Sequence, residues 1–526
     1  MTVNQQLMFK WNNTSYYKVN GFYFKKKKFR QEEQISEETF LRINKRFLNY
    51  KEKVDEFNEK QIKKFIKLDY KNGKINVLDL FCGVGGLSLG FKNAGFNVLL
   101  GIDNDFSACK TYAANFKKTA VLCLDLTEKE GYPSNIKNLG HETDLYFDLI
   151  IGGPPCQGFS RVGRPKIRSL IREQIWDDPE LKLKDLEYNE KTHWFYNDPR
   201  NVLYKKFLNY VSYFHPSAFL IENVPGMKSF NNGMIINQIK LDFEDQLYSI
   251  QDKILNAVDF NVPQKRKRLF LFGVKCETKK IAKKRNSLIE KKELINNFDD
   301  KDVPLKFNFP DKDSKFKPLK EYKSNVTVKD AIEDLINIKT VEYGEILDYK
   351  VTKNNPYIKL LRYKIDDDRL YNFVPRETTK RDKKIYKFID QGEIYRDLPE
   401  KIKNFYKNDE KYKKNSVKLK LIINETIKEC MPYGDGTKFG DKLKRLIWNK
   451  PSWTVMAHIH KDGYRYIHPK LDRTLSVREA ARLQSFPDSF IFKTSRSNQF
   501  KHVGNAVPPF LSETLAYHIK EYMTEI

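Results

Sequence analysis

From residue 75 onward the chain alternates short apolar runs with helix-patterned stretches, and this alternation restricts its fold more than any other feature. "INVLDLF" (75–81) reads as a strand that ends in the turn "CGVGG", and "LSLGFKNAG" follows as a helix. "FNVLLGID", "AVLCLDL", "YFDLIIGG" and "PSAFLIENV" read as further strands, with helical segments such as "FSACKTYAANF" and "NVLYKKFLNYVSYF" among them. One more strand is expected at residues 268–274. Strands that alternate with helices imply a parallel sheet covered on both faces, a doubly wound α/β fold.

On either side of this core the pattern differs. Residues 1–74 are polar, Lys-rich and irregular, apart from helical spacing that begins near Ser36 with "SEE"; no chemistry is assigned to them. Residues 276–445 break the alternation with charged, Pro-punctuated sequence, and are expected to form a separate loop-rich domain. Regular patterning returns within 446–526, in "LSVREAARLQSF" and "PPFLSETLAYHIKEYM". Patterned sequence thus falls in two stretches, 75–275 and 446–526.

Composition narrows the partners. Lys+Arg 96 against Asp+Glu 69 leaves a net charge of +27, which favours a polyanion because each neutralised phosphate releases counterions. A Lys-rich codon bias would give a similar surplus, so charge alone leaves the question open. The six cysteines, Cys82, Cys109, Cys123, Cys156, Cys276 and Cys430, form no C-x-x-C pair, and no metal site is expected. No apolar run of about 18 residues offers a membrane span, and the start lacks a signal-peptide pattern. A cytoplasmic protein with no membrane partner is expected.

Two constellations carry chemistry. In "DLFCGVGG", Gly83 and Gly85 lie where the first strand hands over to the first helix, and Ser88 takes the third position of a G-x-G-x-x-G pattern. Asp103 follows Gly83 by 20 residues at the end of the second strand, the usual place for a carboxylate that binds ribose hydroxyls. An adenosine-containing cofactor is one reading and a structural turn the other. The second constellation is "GGPPCQGFS". Cys156 stands just past the carboxyl end of the fourth strand, where open α/β sheets bind ligands. Pro154 and Pro155 stiffen the backbone before it, and a flexible basic segment follows. Glu222 ends the fifth strand; Arg266 and Arg268, two residues apart, share one face of an extended segment. They suit either a phosphate or the orientation of Glu222.

Taken together, "DLFCGVGG", "GGPPCQGFS", "ENV", "QKRKR", "TLSVREAARLQSFPDSF" and "GNAVPP" resemble the DNA cytosine-5 methyltransferase family in sequence, order and spacing. The resemblance implies a Rossmann-like domain dependent on S-adenosylmethionine, with a smaller irregular target recognition domain in residues 276–445. It implies Cys156 as the nucleophile, Glu222 as the residue that contacts N3 of cytosine, and Arg266 and Arg268 beside them. It also implies a cofactor pocket of Phe81, Gly83, Gly85, Asp103, Asn104, Asp125, Leu126, Asn505 and Val507. The substrate would be a cytosine flipped out of double-stranded DNA. A monomer is expected, with a restriction endonuclease acting on the same site without a stable complex. Two rivals stay open at this level: a tRNA cytosine methyltransferase and an inert DNA-binding regulator.

The chain also departs from the family. The segment before "NDPRNVLY" is longer than a short catalytic loop, and residues 1–74 exceed what a minimal member needs.

Overall fold

A computed structural model describes residues 6–11, 14–19, 22–26, 32–65, 73–139, 145–155, 203–277, 306–320, 325–338, 344–349, 355–363, 368–413, 416–431, 434 and 440–525. The chain divides into two compact units, Met1–Lys67 and Leu68–Ile526.

In the first unit, strands β1 (Gln6–Trp11), β2 (Thr14–Val19), β3 (Phe22–Lys26) and β4 (Glu32–Ile35) form an antiparallel sheet in chain order. Helix α1 (Glu37–Phe65) follows. It begins where its sequence directs: the Ser36 carbonyl accepts the first helical bond from Phe40 N at 3.0 Å, and its Oγ accepts from Thr39 N at 3.2 Å. The four strands were not anticipated, because runs of four to six residues with interspersed lysines carry too little alternation to stand out.

The second unit is built on a seven-stranded sheet. Its strands are β5 (Asn76–Leu80), β6 (Asn97–Asp103), β7 (Ala120–Cys123), β8 (Leu149–Gly152), β9 (Ala218–Asn223), β10 (Tyr248–Asn256) and β12 (Lys267–Lys275). The order is β10-β12-β9-β8-β5-β6-β7. The two-residue β11 (Gln264–Lys265) lies outside this sheet and pairs with Ser452–Trp453. Strands β5 to β9 are parallel to one another, whereas β12 runs antiparallel to both β9 and β10. The all-parallel expectation therefore fails at one edge. Only residues 257–266 join β10 to β12, too short for the crossover that parallel pairing requires.

The central strands read as uninterrupted apolar runs because both faces are covered. Leu78, Leu80, Ile150, Ile151 and Leu220 are buried. On one face, helix α2 (Gly86–Asn93) packs against the last helix, Pro509–Glu525. A side chain at Gly90 would collide with Ser512, whose hydroxyl donates to Leu87 O at 2.7 Å. On the other face, Phe207 of helix Leu203–Phe214 meets Phe219 of β9 edge to face. Parts of both end segments thus complete one layered core, although hundreds of residues separate them in sequence.

Within 276–445, the described residues hold short elements. Phe307 packs against Phe272 of β12 and Tyr522 of the last helix. Asp334 meets the buried Arg482, which is also paired with Asp488. Beyond Thr379, which caps the helix Lys380–Tyr386 with a reciprocal Asp382 contact, short helices surround a cluster of their own. Ile385, Tyr395, Leu398, Ile402, Cys430 and Leu443 belong to it.

Candidate active site

Sheet order reverses beside β5: the chain proceeds from β5 through β6 to β7, then returns to place β8 on the opposite side of β5. Ligands bind at the carboxyl edge of such a reversal, and both constellations fall there.

The first is assembled around the turn after β5. Phe81 takes a left-handed conformation (φ 58°), followed by Gly83 (φ 54°) and Gly85 (φ 89°). For a bulky residue like Phe81 that backbone is strained, a feature that clusters at ligand sites. Gly85 is required twice over, by its φ and because a Cβ there would lie 2.4 Å from the Phe116 ring. A Cβ on Gly83 would instead meet open space, so the turn presents bare backbone on that side. The carboxylate of Asp103 holds the turn in place: Oδ2 accepts from Gly83 N and Oδ1 from Asp105 N, both at 2.8 Å. Burial raises its pKa despite those bonds. Next to it, Asn104 donates to Asp125 at 3.4 Å, and the other oxygen of Asp125 is fixed by Thr127. Leu126 is buried and Asn505 exposed. Val507 closes in from the far end of the chain, its carbonyl 2.3 Å from where a Cβ on Gly86 would stand.

Several residues absent from the sequence-level list support this pocket. Asp79, buried in β5, accepts from Ser88 at 2.5 Å, and Ser88 in turn contacts the Tyr112 hydroxyl at 2.8 Å. Burial pushes the Asp79 carboxyl up to about 7. Asp105 caps helix α3 (Phe106–Asn115) and pairs with Lys501 at 2.7 Å. Ser107 bridges Asp105 and His502 at 2.6 and 2.8 Å. Burial opposes ionisation of Asp105, yet Lys501 and Ser107 outweigh it and hold its carboxyl at about 2. Burial also holds the His502 imidazole at about 4, so it is neutral at physiological pH. This network fastens the "GNAV" turn to the start of α3. No local sequence signal announces it, because its members lie almost 400 residues apart.

The second constellation occupies the ends of β8, β9 and β12. Cys156 lies outside the described residues, but the segment that leads into it does not. Asn223 donates from Nδ2 to the Pro154 carbonyl at 3.1 Å, which ties the approach to Cys156 to the end of β9. A Cβ at Gly153 would stand 3.2 Å from Oε2 of Glu222, so glycine there permits close approach of the carboxylate. Arg268 Nε meets Glu222 Oε1 at 2.9 Å. Burial raises the Glu222 pKa, and the guanidiniums of Arg268 and Arg266 only partly offset it.

The two arginines differ in placement. Arg268 faces Glu222, whereas Arg266 is 1% exposed and donates to Val455 O at 2.7 Å and Gly504 O at 3.1 Å. It thereby joins the β11–β12 region to the segment around Val455 and to the "GNAV" turn. Gln264 assists by accepting from Val455 N and donating to Leu483 O and to Gln484. Arg268 thus meets the carboxylate, and Arg266 binds carbonyls. Among the described residues no group of His, Cys, Asp and Glu could hold a metal ion, and no helix is long and apolar enough to cross a membrane.

The family model of C-5 cytosine-specific DNA methylases matches residues 75–180 and 192–521. The chain is 31% identical over 464 residues to the type II methyltransferase M.DdeI of Desulfomicrobium norvegicum, covering 86% of this chain and 90% of that protein. It is 30% identical over 477 residues to M.AgeI of Thalassovita gelatinovora, covering 85% and 99%. Among solved structures, a DNA modification methyltransferase encoded within an E. coli prophage superposes with a TM-score of 0.56 at 25% identity, over 86% of this chain and 100% of the other. The chain belongs to the C-5 cytosine-specific DNA methylase family and is a DNA cytosine-5 methyltransferase.

Proposed function

We propose that this enzyme methylates C5 of a cytosine flipped out of double-stranded DNA, through a covalent bond between Cys156 and C6 and with S-adenosylmethionine as methyl donor. The observation that carries the reading is the Glu222–Arg268 pair, set against the backbone of Gly153 three residues before Cys156.

Ring carbon C5 of cytosine is a weak nucleophile. Addition of the Cys156 thiolate at C6 makes C5 enamine-like, and departure of the C5 proton with the thiolate afterwards restores the aromatic ring. Glu222 is suited to hold a proton at N3 while the thiolate adds, because burial keeps its carboxyl protonated to higher pH than an ordinary glutamate. Arg268 fixes the direction of that carboxyl. The tether from Asn223 to Pro154 and the stiff Pro154–Pro155 pair aim the thiol.

The cofactor side fits the donor. The open face of Gly83 allows close approach of a ligand, Asp103 suits ribose hydroxyls, and Asn104, Asp125 and Leu126 suit the adenine. Phe81, Gly85, Asn505 and Val507 complete the enclosure. When bound, S-adenosylmethionine supplies an electrophilic methyl group. In the cell we assign the enzyme to the cytoplasm, as a monomer that shields host sites from a restriction endonuclease acting on the same sequence without a stable complex. The type II methyltransferases among its relatives support that role. We assign target recognition to residues within 276–445.

The test is bisulfite sequencing of DNA from cells that lack cytosine methylation and express this chain, beside a Cys156→Ser version. Protected cytosines in one short context, absent with serine, are expected. A soluble protein that binds S-adenosylmethionine yet protects nothing would overturn the proposal.

A further inference from the structure

The family model begins at residue 75, so the first compact unit lies outside the methyltransferase proper. Its charge is unlike that of the rest. Residues 1–67 contain 16 Lys and Arg against 8 Asp and Glu, while the remaining 459 residues contain 80 against 61. Net positive charge per residue is thus almost three times higher in the small unit. A uniform codon bias would spread the surplus evenly, so it does not account for this concentration.

Helix α1 shows where part of that charge is presented. Phe40 is buried and Phe47, Val54 and Phe57 are half-buried, which defines the packed side. At about 100° per residue, Arg42, Lys45, Arg46 and Lys53 fall within an arc of about 100° that faces away from Phe40, Phe47 and Val54, with Phe57 at its margin, and all four are exposed. Between Thr39 and Val54 the helix holds five cations, Lys51 being the fifth, and one carboxylate, Glu52. The next turns differ. There Lys60 pairs with Glu56 and Lys63 with Glu59, each at 2.6 Å, and the charge is neutralised internally. The uncompensated part runs from Arg42 to Lys53, about 17 Å of helix. A duplex carries one negative charge per about 1.7 Å, so about ten phosphates occupy the same length.

We propose that this ridge of α1 is a second DNA-contacting surface, which grips the duplex backbone without regard to sequence. The occupant is double-stranded DNA, since the enzyme acts on that polymer and since four cations at helical spacing match a row of phosphates. Such a surface raises the residence of the enzyme on DNA and leaves target choice and methyl transfer to the larger unit.

The experiment uses the full chain and a 40-base-pair duplex of arbitrary sequence, with binding followed by fluorescence anisotropy between 50 and 200 mM salt. Each phosphate contact contributes about 0.9 to the slope of log K against log salt. The Arg42→Gln/Lys45→Gln/Arg46→Gln/Lys53→Gln variant is expected to lower that slope by about 2 to 4 and to weaken binding at 50 mM salt at least tenfold. The charge-preserving Lys45→Arg/Lys53→Arg variant is expected to bind like the parent. Turnover on saturating DNA and affinity for S-adenosylmethionine are expected to stay unchanged, which separates this proposal from the catalytic one. Should circular dichroism show that the fourfold variant misfolds, Arg42→Gln/Arg46→Gln serves in its place, with a slope loss of about 1 to 2. Equal slopes and equal affinities for parent and folded variant would overturn the proposal.

Discussion

The two sides of one sheet edge hold their ligand groups by different means. On the side proposed for the cofactor, at β5, β6 and β7, the surface offered is backbone: a turn of left-handed residues kept in shape by Asp103, whose two oxygens accept main-chain N–H groups. On the side proposed for the base, at β8, β9 and β12, it is side-chain charge, a buried carboxyl opposed by guanidiniums. The turn of the first arrangement is local in sequence, Phe81 to Asp105, although Lys501, His502 and Val507 reach it from the far end of the chain. The second joins Gly153, Glu222 and Arg268, and burial there raises the pKa of the carboxyl. Arg266 links them, because its guanidinium spans from the neighbourhood of Glu222 to the Gly504 carbonyl behind the cofactor turn.

Substitutions that act on one side alone would sharpen this contrast, and any that fails to do so would break it. Cys156→Ser should lower methyl transfer by a factor of at least about 1,000, because a serine hydroxyl is far less ionised than a thiol. Cofactor affinity, read by calorimetry, should not move. Glu222→Gln should cost about 100-fold in turnover, with DNA and cofactor binding both retained; a fall in cofactor affinity instead would show that the two sides are not separable.

Arg266 should behave as neither side alone. Arg266→Met leaves the buried carbonyls of Val455 and Gly504 without a donor, which should destabilise the fold by about 3 kcal/mol. The thermal midpoint should fall and the Michaelis constant for S-adenosylmethionine should rise together. Arg268→Lys, by contrast, should lower turnover while the melting temperature stays close to the parent's. On the cofactor side, Asp103→Asn should weaken S-adenosylmethionine binding about tenfold, since one oxygen loses its charge and its acceptor capacity towards the main chain. Binding of DNA alone should be unaffected.

The smallest effect concerns acid stability. His502 is held at about 4 in the fold, against about 6.5 when unfolded. Between those values the unfolded chain binds the extra proton, so His502 lowers stability progressively as pH falls from 6.5 to 4, and its contribution is constant above that window. The upper bound is about 3 kcal/mol. His502→Gln should flatten the melting temperature against pH in that interval only. An unchanged profile would remove His502 from the acid response.

The strands β5 to β9, the glycine turn and the Pro154–Pro155 pair just past the end of β8 were legible in sequence because each is a local pattern: an apolar run, a helix period, a stiff dipeptide. The family assignment rests on the same motifs. Edge strand β10 was not legible, since its residues Gln251, Asp252 and Lys253 interrupt any apolar run. Nor were the strands β1 to β4, too short and too polar to show a period. The Arg266 and Arg268 pair illustrates the limit well. Their spacing placed both on one face of an extended segment, yet one side chain meets Glu222 and the other two carbonyls contributed from positions 455 and 504.

By itself, then, the sequence determined which elements form and which reactive groups stand at their ends, because backbone propensity and side-chain chemistry are properties of neighbours in the chain. Only the tertiary structure decided which groups meet. The raised Glu222 carboxyl, the Asn223 tether on Pro154, the Asp105–Lys501 and Ser107–His502 fastening, and the burial of Arg266 all depend on contacts between distant segments. Such contacts are set by how apolar faces pack in three dimensions, and burial in turn sets the cost of each charge.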